Sequence, residues 1–134
     1  MRFFLSVSML ILLACNSAKR ESSSLKEAAE TQEQALQIEK QVAPQLEKLE
    51  QIKNHISVQG RALSPEEQAL LQQIESIQAS YAAWKAMPDY DHQAQEHQAK
   101  PENFIVTQRA SRDSIVLIQQ RVDAALQQAK KVNK

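Results

Sequence analysis

The chain has 134 residues with 16 lysines and arginines against 16 aspartates and glutamates, a formal net charge of zero, and a single glycine, Gly60. Balanced charge of this kind makes nucleic acid and anionic lipid poor candidate partners. Aromatic residues make up only 4% of the chain, while glutamine, lysine, glutamate, alanine and leucine dominate; these strong helix formers predict an all-α fold with a thin core.

Arg2 is followed by an apolar run, Phe3-Phe4-Leu5 and then Val7 to Leu13, broken only by Ser6 and Ser8 and closed by Leu12-Leu13-Ala14-Cys15. At about a dozen residues the run is short for a permanent span across a hydrocarbon core of roughly 30 Å, so it reads as a targeting segment. Leu12 three positions before the cysteine, Ala14 directly before it and Cys15 as the chain's one cysteine resemble the lipobox of bacterial lipoproteins. That resemblance implies cleavage after residue 14, a diacylglycerol thioether on Cys15 and an acylated new amino terminus. Several acyl chains on one residue would give stable membrane attachment. Without Arg2 the balance becomes 15 basic against 16 acidic residues, a formal charge near −1, on a domain of about 120 residues.

Asn16, rather than aspartate, follows the cysteine, which favours an outer-membrane destination. No dense acidic patch follows Cys15, which favours the periplasmic face. Residues 16–24, with three consecutive serines and no large apolar side chain, read as a flexible tether between anchor and folded domain.

The first helix is expected over about 25–57. Ile38, Val42, Leu49, Ile52 and Ile56 recur at helical steps with Leu46 beside them, and Leu25, Ala28, Ala29, Ala35 and Leu36 carry a weaker form of the stripe. Pro44 interrupts it, either kinking one continuous helix, the favoured reading, or separating two. Gly60 supplies a break suited to the left-handed conformation. Ser64-Pro65-Glu66-Glu67 then has the order of an N-cap, a first-turn proline and a capping-box glutamate. It opens a second helix over 64–87, with Leu70, Ile74, Ile77, Tyr81 and Trp84 at heptad spacing. Tyr81 and Trp84, with Met87 just beyond, are read as filling the end of a bundle.

Residues 88–101 hold no large aliphatic side chain and are bounded by prolines, so they read as a loop. Asp89, Asp91, His92, Glu96 and His97 place three carboxylates and two imidazoles within nine residues of it. Such donors suit labile zinc or copper. The zinc-hydrolase spacings are missing, because His92-x-x-x-Glu96-His97 is one residue too long for the inverted motif. A solvated polar loop is the simpler reading.

The third helix is expected over 102–131. Ile115, Ile118, Val122, Ala125 and Ala129 form its seam, Phe104, Val116, Leu117 and Leu126 flank it, and Lys130, Lys131 and Lys134 complement its C-terminal dipole. Three helices of roughly 48, 35 and 43 Å, at about 1.5 Å per residue, predict an elongated antiparallel three-helix bundle with coiled-coil-like packing. The alternative is a helical hairpin or single helix that gains burial by homo-oligomerising.

For catalysis there is no Gly-x-Ser-x-Gly elbow and no glycine-rich phosphate loop. Ser111 and Ser114 lie near Arg112 and Asp113 but no histidine, and His55 reads as a surface residue. The order of lipobox, long helix, Trp84 helix, Met87-Pro88 with an acid-and-histidine loop, and a final amphipathic helix resembles small helical lipoproteins of Bacteroidota-type bacteria. In that group the loop is often far richer in histidine; here it keeps His92 and His97. The resemblance implies no reaction. The expectation is a non-enzymatic, lipid-anchored, periplasm-facing protein of the outer membrane that meets another envelope protein, with weak metal binding by the 89–97 loop as the alternative.

Overall fold

Ser64 shows how local chemistry places the helices. Its backbone is extended (φ −67°, ψ 158°), its hydroxyl accepts from the Glu67 amide at 3.2 Å, and its own amide donates to the Glu67 carboxylate at 2.8 Å. Both arms of the capping box are made, so two amides that a helix start leaves without intrahelical partners are satisfied, and Pro65 fills the first helical position. In this computed structural model the backbone is described over residues 5–87 and 101–132, and side-chain environments over 23–87 and 103–132. Three helices account for it: α1 (Leu5–Ser57), α2 (Pro65–Lys85) and α3 (Pro101–Val132). There is no strand among the described residues, and the all-α expectation holds.

Several boundaries differ from those read from sequence. Helix α1 includes residues 16–24, which were expected to form a flexible tether; it continues past Pro44, in line with the favoured reading of one helix there. The 16–24 segment contains no glycine or proline, and extending an existing helix adds a hydrogen bond per residue without a new nucleation cost. Pro44 withholds the bond that the Lys40 carbonyl would accept; both residues are exposed, so the loss falls on the solvent side. Helix α1 ends at Ser57, and Gly60 takes a left-handed φ of +65° in the connection. Helix α2 stops at Lys85 rather than 87, with the Ala86 amide donating to the carbonyls of Ala82 and Ala83 and the Met87 amide to that of Trp84.

The described residues divide between two packing units. The first draws on Met1–Gln32 and Pro88–Arg109. In it, Ala28, Phe104 and Ile105 bury against one another with Leu25 at the edge, joining α1 to α3. Arg109 pairs with Glu27, and the Thr31 hydroxyl donates to the Glu27 carbonyl at 2.7 Å. Gln108 is almost wholly buried, and its Nε2 has no hydrogen-bond partner.

The second unit draws on Glu33–Met87 and Ala110–Lys134 and contains all three helices. Its core is Ala35, Val42, Leu46, Leu49 and Ile56 from α1, Leu70, Ile74, Ile77 and Trp84 from α2, and Ile115, Ile118, Val122, Ala125 and Ala129 from α3. The α2 and α3 positions step by threes, fours and sevens, as the heptad reading requires. Each fully buried Leu or Ile contributes about 1.5–3 kcal/mol relative to exposure. Cross-helix contacts fix the directions. Gln78 bonds Lys53 and Glu50 while Lys85 reaches back to Glu39, so α1 and α2 are antiparallel. Trp84 meets Ser111 while Arg121 meets Ser76 and Ser80, so α2 and α3 are antiparallel too. Helices α1 and α3 therefore run parallel, with Gln41 beside Gln119. The hairpin alternative is replaced by three packed helices. Leu36 and Leu117, read as stripe and flank residues, are exposed instead.

Candidate functional sites

Of the residues singled out from sequence, Asp89, Asp91, His92, Glu96 and His97 lie outside the described residues, and so does the side chain of Cys15, whose backbone belongs to α1. Among the described residues no group of three or more histidine, cysteine, aspartate or glutamate side chains comes together to hold a metal. No helix among them is long and apolar enough to cross a membrane.

Three described arrangements concentrate polar chemistry in the second unit. The first caps α2. Arg61 donates through Nη1 to Glu67 Oε2 at 2.9 Å and through Nη2 to Oε1, while also bonding the Ala62 carbonyl. Bidentate pairing of this sort is strong and geometrically specific. The Arg61 guanidinium, with the Ser64 amide behind it, holds the Glu67 carboxyl down at about 2, and Glu67 in turn raises the Arg61 pKa. Both carboxylate oxygens are thus engaged by the chain itself, which ties the connection to the start of α2.

The second surrounds Trp84. Its indole Nε1 donates to the Ser111 carbonyl at 2.9 Å, the Tyr81 ring stacks on it at 5.9 Å and 21°, and the Lys85 ammonium lies 5.8 Å from its ring centre. Glu39 receives both the Tyr81 hydroxyl and Lys85 Nζ at 2.8 Å. Lys85 draws the Glu39 carboxyl below its ordinary range, with Tyr81 adding to the effect and partial burial opposing it. Burial and the Glu39 carboxylate push the Tyr81 phenol up to about 12. The bonds of Tyr81 and Lys85 to Glu39 fasten α2 to α1, and the Trp84 bond to Ser111 fastens α2 to α3. Trp84 closes the core as the sequence reading anticipated.

The third is a groove of about 540 Å³ between parallel helices, lined by Lys48, Gln51, Ile52 and His55 of α1 and by Leu126, Ala129 and Lys130 of α3. Its α1 members fall at i, i+3, i+4 and i+7 and its α3 members at i, i+3 and i+4, one face of each helix. From the sequence His55 reads as a surface residue. The helical spacing of Lys48, Ile52 and His55 was visible, but only the pairing of α1 with α3 shows what that face adjoins. A smaller groove of about 400 Å³ runs between α2 and α3 beside Trp84, Met87, Leu117 and Ile118; its Arg121 is committed to the Ser76 and Ser80 hydroxyls.

No protein-family model matches the chain, and no curated protein or solved structure matches it either.

Proposed function

We propose that the chain is a non-enzymatic lipoprotein, anchored through Cys15 in the outer membrane with its helical body facing the periplasm, and that it works by contact with another envelope protein. The observation that carries this reading is the sequence Leu12-Leu13-Ala14-Cys15 at the end of an apolar run that follows Arg2. Charge, apolar segment and small residue before a cysteine are the features that direct export, cleavage and acylation. Acyl chains then hold the protein by hydrophobic transfer of their methylenes, about 0.8 kcal/mol each.

A role in contact rather than catalysis is supported by how the polar side chains are spent. The Glu67 and Glu39 clusters are internally paired, and the Tyr81 phenol is held neutral. The α1–α3 groove, in contrast, presents an apolar floor with Lys48 and Lys130 at its rim, neither ion-paired among the described residues. Residues 16–24, which follow the proposed anchor, belong to helix α1.

Growth with labelled palmitate tests the anchor. The chain is expected to take up label and to sediment with membranes, and Cys15→Ser to abolish both. Label retained by Cys15→Ser, or absent from the native chain, would overturn the proposal.

A further inference from the structure

The α1–α3 groove is a face on which two helices lie parallel and no other described element lines it. Using the Gln41–Gln119 pair, separated by 78 positions, as the register, Lys48 stands level with Leu126 and Ile52 level with Lys130. Each cation thus flanks an apolar side chain of the other helix, and His55 lies a turn further along. Lys48, His55 and Lys130 are exposed and form no ion pair with any described residue, whereas Ile52 and Leu126 are half-buried and Ala129 is buried. No acidic residue lines the groove. The strip from Lys48 to His55 is about 10 Å long at 1.5 Å per residue, the length of two helical turns.

The geometry points to this groove as the docking site for an acidic amphipathic helix of a partner protein, which would lie along α1 and α3. This rests on the contact role proposed above and specifies the chemistry of the partner. Helix-in-groove recognition needs an apolar trough that accepts anchors at i, i+3, i+4 and i+7, with charge at the edges to set orientation. Ile52, Leu126 and Ala129 supply the trough; Lys48 and Lys130, from opposite helices, supply edges that select carboxylates. A second copy of this chain docking groove to groove would set these cations against their own images, and like-charge juxtaposition disfavours it.

The full chain in a non-ionic detergent is titrated with two amphipathic peptides of about four turns that share one leucine stripe, flanked by glutamates in the first and lysines in the second. Methyl resonances of Ile52, Leu126 and Ala129 are followed. The acidic peptide is expected to shift these methyls and to bind at least about tenfold more tightly than the basic one. Lys48→Glu combined with Lys130→Glu is expected to reverse that order. Both substitutions are on exposed side chains, and reversal cannot come from unfolding, which would abolish both interactions. Equal binding of the two peptides, no shift with either, or shifts that grow with protein concentration alone would overturn the inference, the last indicating self-association. Because the titration does not depend on acylation, failure here leaves the anchor standing, and an unacylated chain that still prefers the acidic peptide removes the anchor alone.

Discussion

Arg61 grips Glu67 through both guanidinium arms, and that single pairing ties the connection after α1 to the first turn of α2. Glu67 is buried and completes the capping box on Ser64 at the same time. The α2 start is therefore the place where pH should be felt first.

Glu67 titrates at about 2 in the folded chain, against an ordinary value of 4.5. A carboxyl depressed by folding stabilises fully above its unfolded pKa, and the contribution fades as pH falls through 4.5 towards 2. Thermal melts from pH 7 to pH 2 are expected to show Tm falling across this window, and Glu67→Gln to flatten the fall while lowering the plateau. Ser64→Ala, which removes the hydroxyl arm of the cap, should cost about 1 kcal/mol at neutral pH.

Trp84→Phe is expected to destabilise by about 1–2 kcal/mol in denaturant titrations, from loss of the bond to Ser111 and part of the ring contact. Trp84→Ala should cost about 3–5 kcal/mol. The first change keeps an aromatic ring in the core and reads the hydrogen bond; a Trp84→Phe loss near zero would mean that the Ser111 contact contributes nothing.

Ile74 is fully buried and Leu117 is 56% exposed, although both are large aliphatic residues on amphipathic helices. Ile74→Ala should cost about 2–5 kcal/mol and Leu117→Ala no more than about 0.5 kcal/mol. Similar losses would place Leu117 in a core that the packing assigns to its neighbours Ile115 and Ile118.

Gln108 carries a buried amide nitrogen without a partner in the first unit. Such a group costs about 1–3 kcal/mol, so Gln108→Met, close in volume and without the donor, is expected to raise Tm. A lower Tm would show that the amide is needed where it stands.

The parts of this fold that sequence revealed are those whose cause is local. Ser64, Pro65 and Glu67 sit within four residues, and the Leu70, Ile74, Ile77 and Ile115, Ile118, Val122 steps repeat on one helix face, so neither needed tertiary knowledge. Contacts that span helices were not legible. The Trp84 bond to Ser111, the Glu39 bonds to Tyr81 and Lys85, and the groove joining Lys48 to Lys130 depend on which helices meet and in what register. Periodicity likewise could not rank Leu117 below Ile118, because adjacent residues at a stripe edge differ only in their angle to the neighbouring helices. The 16–24 segment was misread because its serines suggest a linker, while the continuous helix on either side outweighs their weak propensity.

Mass spectrometry of the amino-terminal peptide from the native, membrane-extracted protein tests the central claim most directly. The account expects a chain that begins at Cys15, with a diacylglycerol thioether on its sulfur and a third acyl group on its amine. A chain that retains residues 1–14 and carries an unmodified Cys15 thiol would contradict it.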